Sequence, residues 1–543
     1  MNPLGHQPPP ANGAGATAGD GTEQPAPPAH PARVSIQTSP LPPSATPSAP
    51  GTWLQDQPYG ASPNAPYAVA AAPRGFKWKR LLIATLVLAL LAGGAAVLFR
   101  DRLFPQADGP AHPSEWDPRV ATLAEFVSTE RELEWVHPVH VEFLPEAEFV
   151  VLFDQPDTPR GEEADALARL YSQLYDAFGL AVGYDPTQGQ SAVSAVTTLG
   201  FYSLDSDRVY VRGDQLTPAV QVVLAHELTH ALQAQHFDLA IGAGDGDDLE
   251  LRAVVEADAL RVEEVFLATL SPADKAAAVQ ANALGPDAAA GLVDVPWAVV
   301  EQRYAPYVLG PMLVNDVFAK QGNAGVDQLI LEPPTEEILM NPWMHGDPVQ
   351  PDTAVMVEVP LGTTVLDPPQ SLSQVDLLVM LDAWLPWSQA RRSLDGWAGG
   401  TYTSYDRDGV VCFTASASFD NSADRFAVAV TAWAQAAGSA ANPSVIVNDV
   451  TFEACARGAA ATEPPVPVVS PLRALQLEHD AIGLAGPNPS PDQIQDYQCF
   501  AGTMIDDPLL APLLVAETLD TDEQALYTWQ STIAANECGV PPP

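Results

Sequence analysis

Apolar positions in the central third of the chain follow two different periods, one after the other. "GFYSLDSDRVYVRG" (Gly200–Gly213) alternates, with Val209 and Val211 in a return strand and Asp205, Ser206 and Asp207 at a turn, which predicts a hairpin. Directly after it Val220, Leu224, Leu228 and Ala231 recur at helical spacing behind Thr217 and Pro218, an N-cap and a first-turn proline. A second apolar-rich helical segment, "LELRAVVEADALRVEEVF", follows the loop "GAGDGDD" (Gly242–Asp248), which lacks EF-hand spacing and reads as a flexible approach to an acidic helix start. Beyond it the signal weakens. Residues 347–367 read as an extended, Pro-rich connector, followed by an apolar segment (Leu372–Leu385), a turn at Asp408 and Gly409, a strand at Val410–Ala415 and a helix at Asn421–Ala437. Gly458–Pro471 is an expected linker, with helices at Leu472–Ala481 and Asp522–Asn536.

One stretch has no period at all. "LLIATLVLALLAGGAAVLF" (Leu81–Phe99) is nineteen uncharged residues; as a helix it would rise about 28 Å against a hydrocarbon core of about 30 Å. It predicts a single transmembrane helix over 81–99, since a cleavable signal peptide keeps its apolar region near the N-terminus. Arg74, Lys77, Lys79 and Arg80 precede the run, against Arg100, Arg102 and Arg119 after it, which sets the N-terminus in the cytoplasm and the rest outside. Residues 1–73 hold 17 prolines and a single basic residue, so 1–80 is expected to be a disordered cytoplasmic tail.

Charge and cysteine placement narrow the partners. The 543 residues carry a formal charge of -44, and residues 1–80 contribute only three acids and five Lys or Arg, leaving 65 acids against 19 bases beyond them. Nucleic acid would be repelled by that bulk and is not an expected partner. Cys412, Cys455, Cys499 and Cys538 all follow the apolar run, where an oxidising compartment would lie, and none is spaced as a C-x-x-C pair. Of their three pairings, 412 with 455 and 499 with 538 is the most local.

Chemistry concentrates in "VVLAHELTHALQAQHFDL". His226 and His230 bracket Glu227 in an H-E-x-x-H pattern: two imidazoles one helical turn apart bind zinc, and the glutamate between them acts as general base on a water there. Catalytic zinc usually takes three protein ligands. His236 is one candidate for the third, in the manner of the metzincin pattern H-E-x-x-H-x-x-G-x-x-H. That pattern needs glycine where this chain has Gln233, and a left-handed non-glycine residue costs about 1–2 kcal/mol. Should the helix continue instead, His236 stands well round the cylinder and packs near the helix end. The preferred third ligand is Glu256, 26 residues after His230 and set among Val254, Val255, Ala257 and Ala259, because a buried carboxylate needs a partner. Asp258 is the expected acceptor for the outer nitrogen of a ligand histidine, Glu263 and Glu264 are expected to face solvent, and Tyr304 and Tyr307 are candidate oxyanion donors.

At these residues the chain resembles a known group. "LAHELTHALQAQHFDL", "VEADA", "YAPYVLG" and "PPTEEILMNP", and more faintly "LDGWAGGTYTSYDRDG", resemble bacterial and archaeal membrane-anchored or secreted zinc metallopeptidases of the gluzincin, thermolysin-like class. Where that group usually has an E-G-D-A-like motif, this chain has Glu256-Ala257-Asp258-Ala259. The resemblance implies a zincin-like metallopeptidase domain over 114–345 with His226, His230 and Glu256 as zinc ligands. Around it the expected fold is α+β: the tail and span over 1–80 and 81–99, an accessory α+β domain over 346–457, and a linker and helical region over 458–543. The expected function is peptide-bond hydrolysis outside the cytoplasm on a peptide or protein substrate. The alternatives are a metzincin-like enzyme using His236 and an inactive cell-envelope interaction protein on a peptidase scaffold.

Overall fold

The computed structural model describes residues 112–542, apart from 154–161, 190–197, 205, 238, 240–248, 283–291, 293, 347–357, 421–422 and 517. The protein is α+β, with two separate sheets set among helices. α1 (Ala121–Arg131) leads into β1 (His140–Leu144), and α2 (Glu146–Phe153) and α3 (Glu162–Ala177) precede β2 (Gly200–Ser203) and β3 (Arg208–Arg212). β3 is central, parallel to β1 and antiparallel to β2, so the expected hairpin is present with β2 at the sheet edge. Val209 and Val211 are fully buried, and they share a core cluster with Val220, Leu224 and Leu228 of α4 (Pro218–His236). α4 begins where the sequence puts it. The Thr217 hydroxyl accepts the Val220 N–H, and Pro218 fills a first-turn position whose N–H would have no helical partner.

α5 (Leu249–Thr269) packs beside α4 and is followed by α6 (Pro272–Asn282) and the 25-residue α7 (Trp297–Gln321). Two cores wall α5. Val262 belongs to the cluster beneath α4, while Leu251, Ala253, Val254 and Ala257 belong to a second, larger one that α7 also lines. The two helices meet at very short range: a Cβ on Gly310 would sit 1.9 Å from the Ala253 carbonyl oxygen, so only glycine permits the approach.

α8 (Asn323–Leu331) and α9 (Glu336–Met340) are followed by β4 (Thr364–Val365), β5 (Gln370–Ser371), α10 (Gln374–Asp382) and α11 (Trp387–Ser393). The second sheet joins β4 and β5 to β6 (Trp397–Arg407), β7 (Val410–Phe419), β8 (Ser444–Ile446) and β9 (Asp449–Cys455), in the antiparallel order β4-β6-β7-β9-β8, with β5 also on β6. α12 (Ala423–Ala437) lays Phe426 against Phe419 and Phe452 of that sheet. α13 (Pro471–Gly483), α14 (Pro491–Asp506), α15 (Ala511–Leu514) and α16 (Thr521–Cys538) complete the chain. Both disulfides follow the most local pairing: Cys412–Cys455 joins facing residues of β7 and β9, and Cys499–Cys538 ties α14 to the end of α16. The larger core runs unbroken from Leu174 on α3 through α5 and α7 to Val540.

The membrane-anchored architecture is corrected. Among the described residues no helix is long and apolar enough to cross a membrane. The two longest show why: α5 carries Glu250, Arg252, Glu256, Asp258, Arg261, Glu263 and Glu264, and α7 carries Glu301, Arg303, Asp316 and Lys320. The run Leu81–Phe99 that prompted the expectation lies outside the described residues, as do the tail over 1–80 and the loop Gly242–Asp248. The transmembrane element, the single-pass topology and the cell-membrane localisation drop out of the reading. The two disulfides agree with an oxidising compartment.

Candidate metal centre

His226 and His230 share one face of α4, as residues four apart on a helix must, and Glu256 reaches them from α5. The two Nε2 atoms are 3.0 Å apart, and Glu256 Oε2 lies 3.2 Å from that of His226 and 3.3 Å from that of His230. Among the described residues this is the one group of three or more His, Cys, Asp or Glu whose donor atoms all fall within 4.8 Å of one another. Donors placed tetrahedrally round an ion with bonds of about 2.0–2.1 Å would be about 3.3 Å apart, so the set fits a zinc-sized ion. Glu227 is held beside it: the Tyr202 N–H of edge strand β2 donates to Glu227 Oε2 at 2.8 Å. β2 comes this close because its first residue is Gly200, where a Cβ would stand 2.8 Å from Val223 Cγ1 on α4.

Burial sets the electrostatics and the carboxylates redirect them. Desolvation disfavours charge on His226, yet Glu256 and Glu263 outweigh it and raise its pKa well above the ordinary imidazole value. His230 is raised too, burial being outweighed by Glu256. Burial pushes the Glu256 carboxyl up, but the two imidazoles hold it well below the usual carboxylate range. Glu227 goes the other way, raised by burial against the pull of His226 and His230. The cluster is built round an ionised carboxylate that draws positive charge to one point.

The outer ring nitrogens are engaged as well. His226 Nδ1 lies 3.1 Å from Glu263 Oε2, and His230 Nδ1 lies 2.9 Å from Gln233 Oε1. Glu263, expected at the surface, is buried; it stands two turns from Glu256 on the same face of α5, and that spacing was the available signal. Asp258, expected to meet a ligand histidine, touches neither. Its Oδ2 accepts from Gln233 Nε2 at 2.7 Å and pairs with Arg131 Nε at 2.7 Å. His236 is exposed, with Nε2 2.7 Å from the Glu134 carbonyl oxygen; α4 stays helical through Gln233, so this ring stands apart from the trio. Tyr307 on α7 donates its hydroxyl to Glu256 Oε1 at 2.9 Å, which commits it to the carboxylate of the trio. Tyr304, one turn earlier, packs edge-on to Tyr307 and against the cluster of Val295, Val299 and Val300.

Comparison with family models, curated proteins and solved structures finds no match, so the chemistry rests on the side chains themselves.

Proposed function

We propose that the protein is a zinc-dependent peptidase in which His226, His230 and Glu256 hold the ion and Glu227 is the general base. The observation that carries this is the convergence of two Nε2 atoms on one ionised carboxylate, with a further buried acid fixed beside them by a strand N–H. When bound, the ion would polarise a substrate carbonyl and make a water more acidic. With Oε2 engaged by the Tyr202 N–H, Glu227 would keep Oε1 to accept a proton from a water on the ion and pass it to the leaving amine. Tyr307 and Glu263 keep Glu256 and His226 in place. A peptide substrate accords with the H-E-x-x-H spacing, the downstream glutamate and the resemblance to gluzincins.

Digestion of a peptide library by the zinc-loaded full chain tests the proposal, with Glu227→Gln as control. Cleavage should fall by about 100-fold or more in the variant while zinc content stays at one per chain. Cleavage that survives Glu227→Gln refutes the mechanism. Zinc bound with no cleavage by the unaltered protein would overturn the peptidase reading in favour of an interaction protein on a peptidase scaffold.

A further inference from the structure

Gln233 is fully buried three residues after His230, and its amide has no freedom of assignment. Nε2 lies 2.7 Å from Asp258 Oδ2 and 3.1 Å from the Val255 carbonyl oxygen. A carboxylate and a carbonyl only accept, so this end is the NH2 and both its hydrogens are used. The other end, Oε1, is then the atom 2.9 Å from His230 Nδ1. An amide oxygen cannot donate, so Nδ1 must carry the hydrogen. In the neutral ring, the form that can bind a metal, the lone pair is then on Nε2, the atom turned toward Glu256 and His226.

The anchor of this chain is itself fixed. Asp258 is fully buried and pairs with Arg131 Nε at 2.7 Å and with Arg261 at 3.1 Å. Asn323 Oδ1 accepts from both guanidinium groups, at 2.8 and 2.9 Å, and Asp327 accepts from Arg131 at 2.6 Å. Arg131 comes from α1, so a helix with no residue in the metal trio helps to place one of its rings.

We propose that Gln233 is a positioning residue of the metal centre: its neutral amide links the Asp258–Arg131–Arg261 cluster to His230 and holds that ring in the Nδ1–H tautomer with Nε2 as the donor. The proposal rests on the metal-centre reading above. It also explains the residue type. Glutamate here would set a second carboxylate oxygen where Nε2 now lies, 2.7 Å from Asp258, whereas the amide satisfies an acceptor on one side and a donor on the other. His226, facing Glu263 at 3.1 Å, is held by a carboxylate instead, so the two rings are oriented by different chemistry.

Two measurements on the full chain test it. In metal-free protein labelled with 15N-histidine, long-range 1H–15N spectra should show a hydrogen on His230 Nδ1, whether the ring is neutral or cationic, and a neutral ring with its hydrogen on Nε2 alone overturns the proposal. In Gln233→Met, which keeps the volume but loses the amide, zinc affinity measured by chelator competition should fall about 10–100-fold. The visible bands of the cobalt(II)-loaded variant should shift as well, which a purely structural loss would not produce. Unchanged affinity together with an unchanged cobalt spectrum also overturns it. If Gln233→Met does not fold, the tautomer measurement decides alone. If the unaltered protein takes up neither zinc nor cobalt, the proposed function fails, while the tautomer in metal-free protein still tests the amide link.

Discussion

Around the six-stranded sheet and its helices, buried ions close on one another. Arg391 meets Glu478 at 3.1 Å and Asn341 at 2.6 Å, and Arg457 meets Asp176 at 3.0 Å, each of these ionic side chains being almost wholly shielded from solvent. Around the three-stranded sheet, Arg131, Arg261 and Asp258 close in the same way, but next to them Glu227, Glu256 and Glu263 crowd two imidazoles. The first arrangement balances its charge by itself. The second gathers acceptors round a point and balances best when a cation stands there, which is how a buried binding centre differs from a buried brace.

Breaking the closed side should have the largest effect on folding. Arg391→Met leaves Glu478 buried without its guanidinium, and chemical denaturation should show a loss of about 3–5 kcal/mol, with zinc affinity of the folded protein unchanged. Breaking the open side should do the reverse. Glu256→Ala should weaken zinc binding by more than about 100-fold, measured by metal analysis and chelator competition, while His236→Ala keeps its zinc; the opposite pattern would sink the assignment of the trio. Zinc at about 100 times its dissociation constant should also stabilise the unaltered protein by about 2.7 kcal/mol and do nothing for Glu256→Ala.

A pH dependence sharpens the comparison. Glu301, fully buried on α7, accepts the Leu472 N–H at the start of α13, and burial pushes its carboxyl up to about 7 from an ordinary 4.5. Folding favours its protonated form, so the stabilisation is complete below pH 4.5 and is lost as pH rises through about 7. Glu301→Gln keeps the acceptor and removes the titration. The variant should be more stable than the parent by about 3 kcal/mol at pH 8 and nearly equal at pH 4.5, read from denaturant midpoints at the two values. Gly310→Ala should cost about 3 kcal/mol or more by overpacking and should also weaken zinc, because its methyl would meet the Ala253 carbonyl oxygen and α5 must move to make room.

The centre was legible where local rules sufficed. α4 announces itself through Thr217, Pro218 and a helical apolar period, and Glu256 through its apolar neighbours. Gln233 was not legible as part of the site, and Glu263 only through its two-turn spacing from Glu256. The anchors across the gap, His226 for Glu263 and Asp258 for Gln233, come from a neighbouring helix, and neither an acid next to Glu264 nor an amide in place of a glycine announces them. The long α7 hides behind Pro306 and Pro311, which taken alone argue for a broken helix; burial of Val299, Leu309, Leu313 and Val314 offsets them. β6 and β7 are buried on both faces over most of their length, so the alternation that reveals β3 is absent there. The apolar run Leu81–Phe99 fitted a length rule, whereas the long helices that the structure does describe carry their charges into the fold.

Gly310 bears on how this centre could change over generations. With the α7 and α5 backbones almost touching there, Tyr307 and Glu256 ride on two helices that have no compressible side chain between them at that crossing. Selection for a differently shaped site would find this side rigid and would have to reshape the opposite bank, where the Tyr202 N–H of an edge strand reaches Glu227. Variation among descendants of this chain should therefore gather in the β2–β3 hairpin and spare the α5–α7 seam.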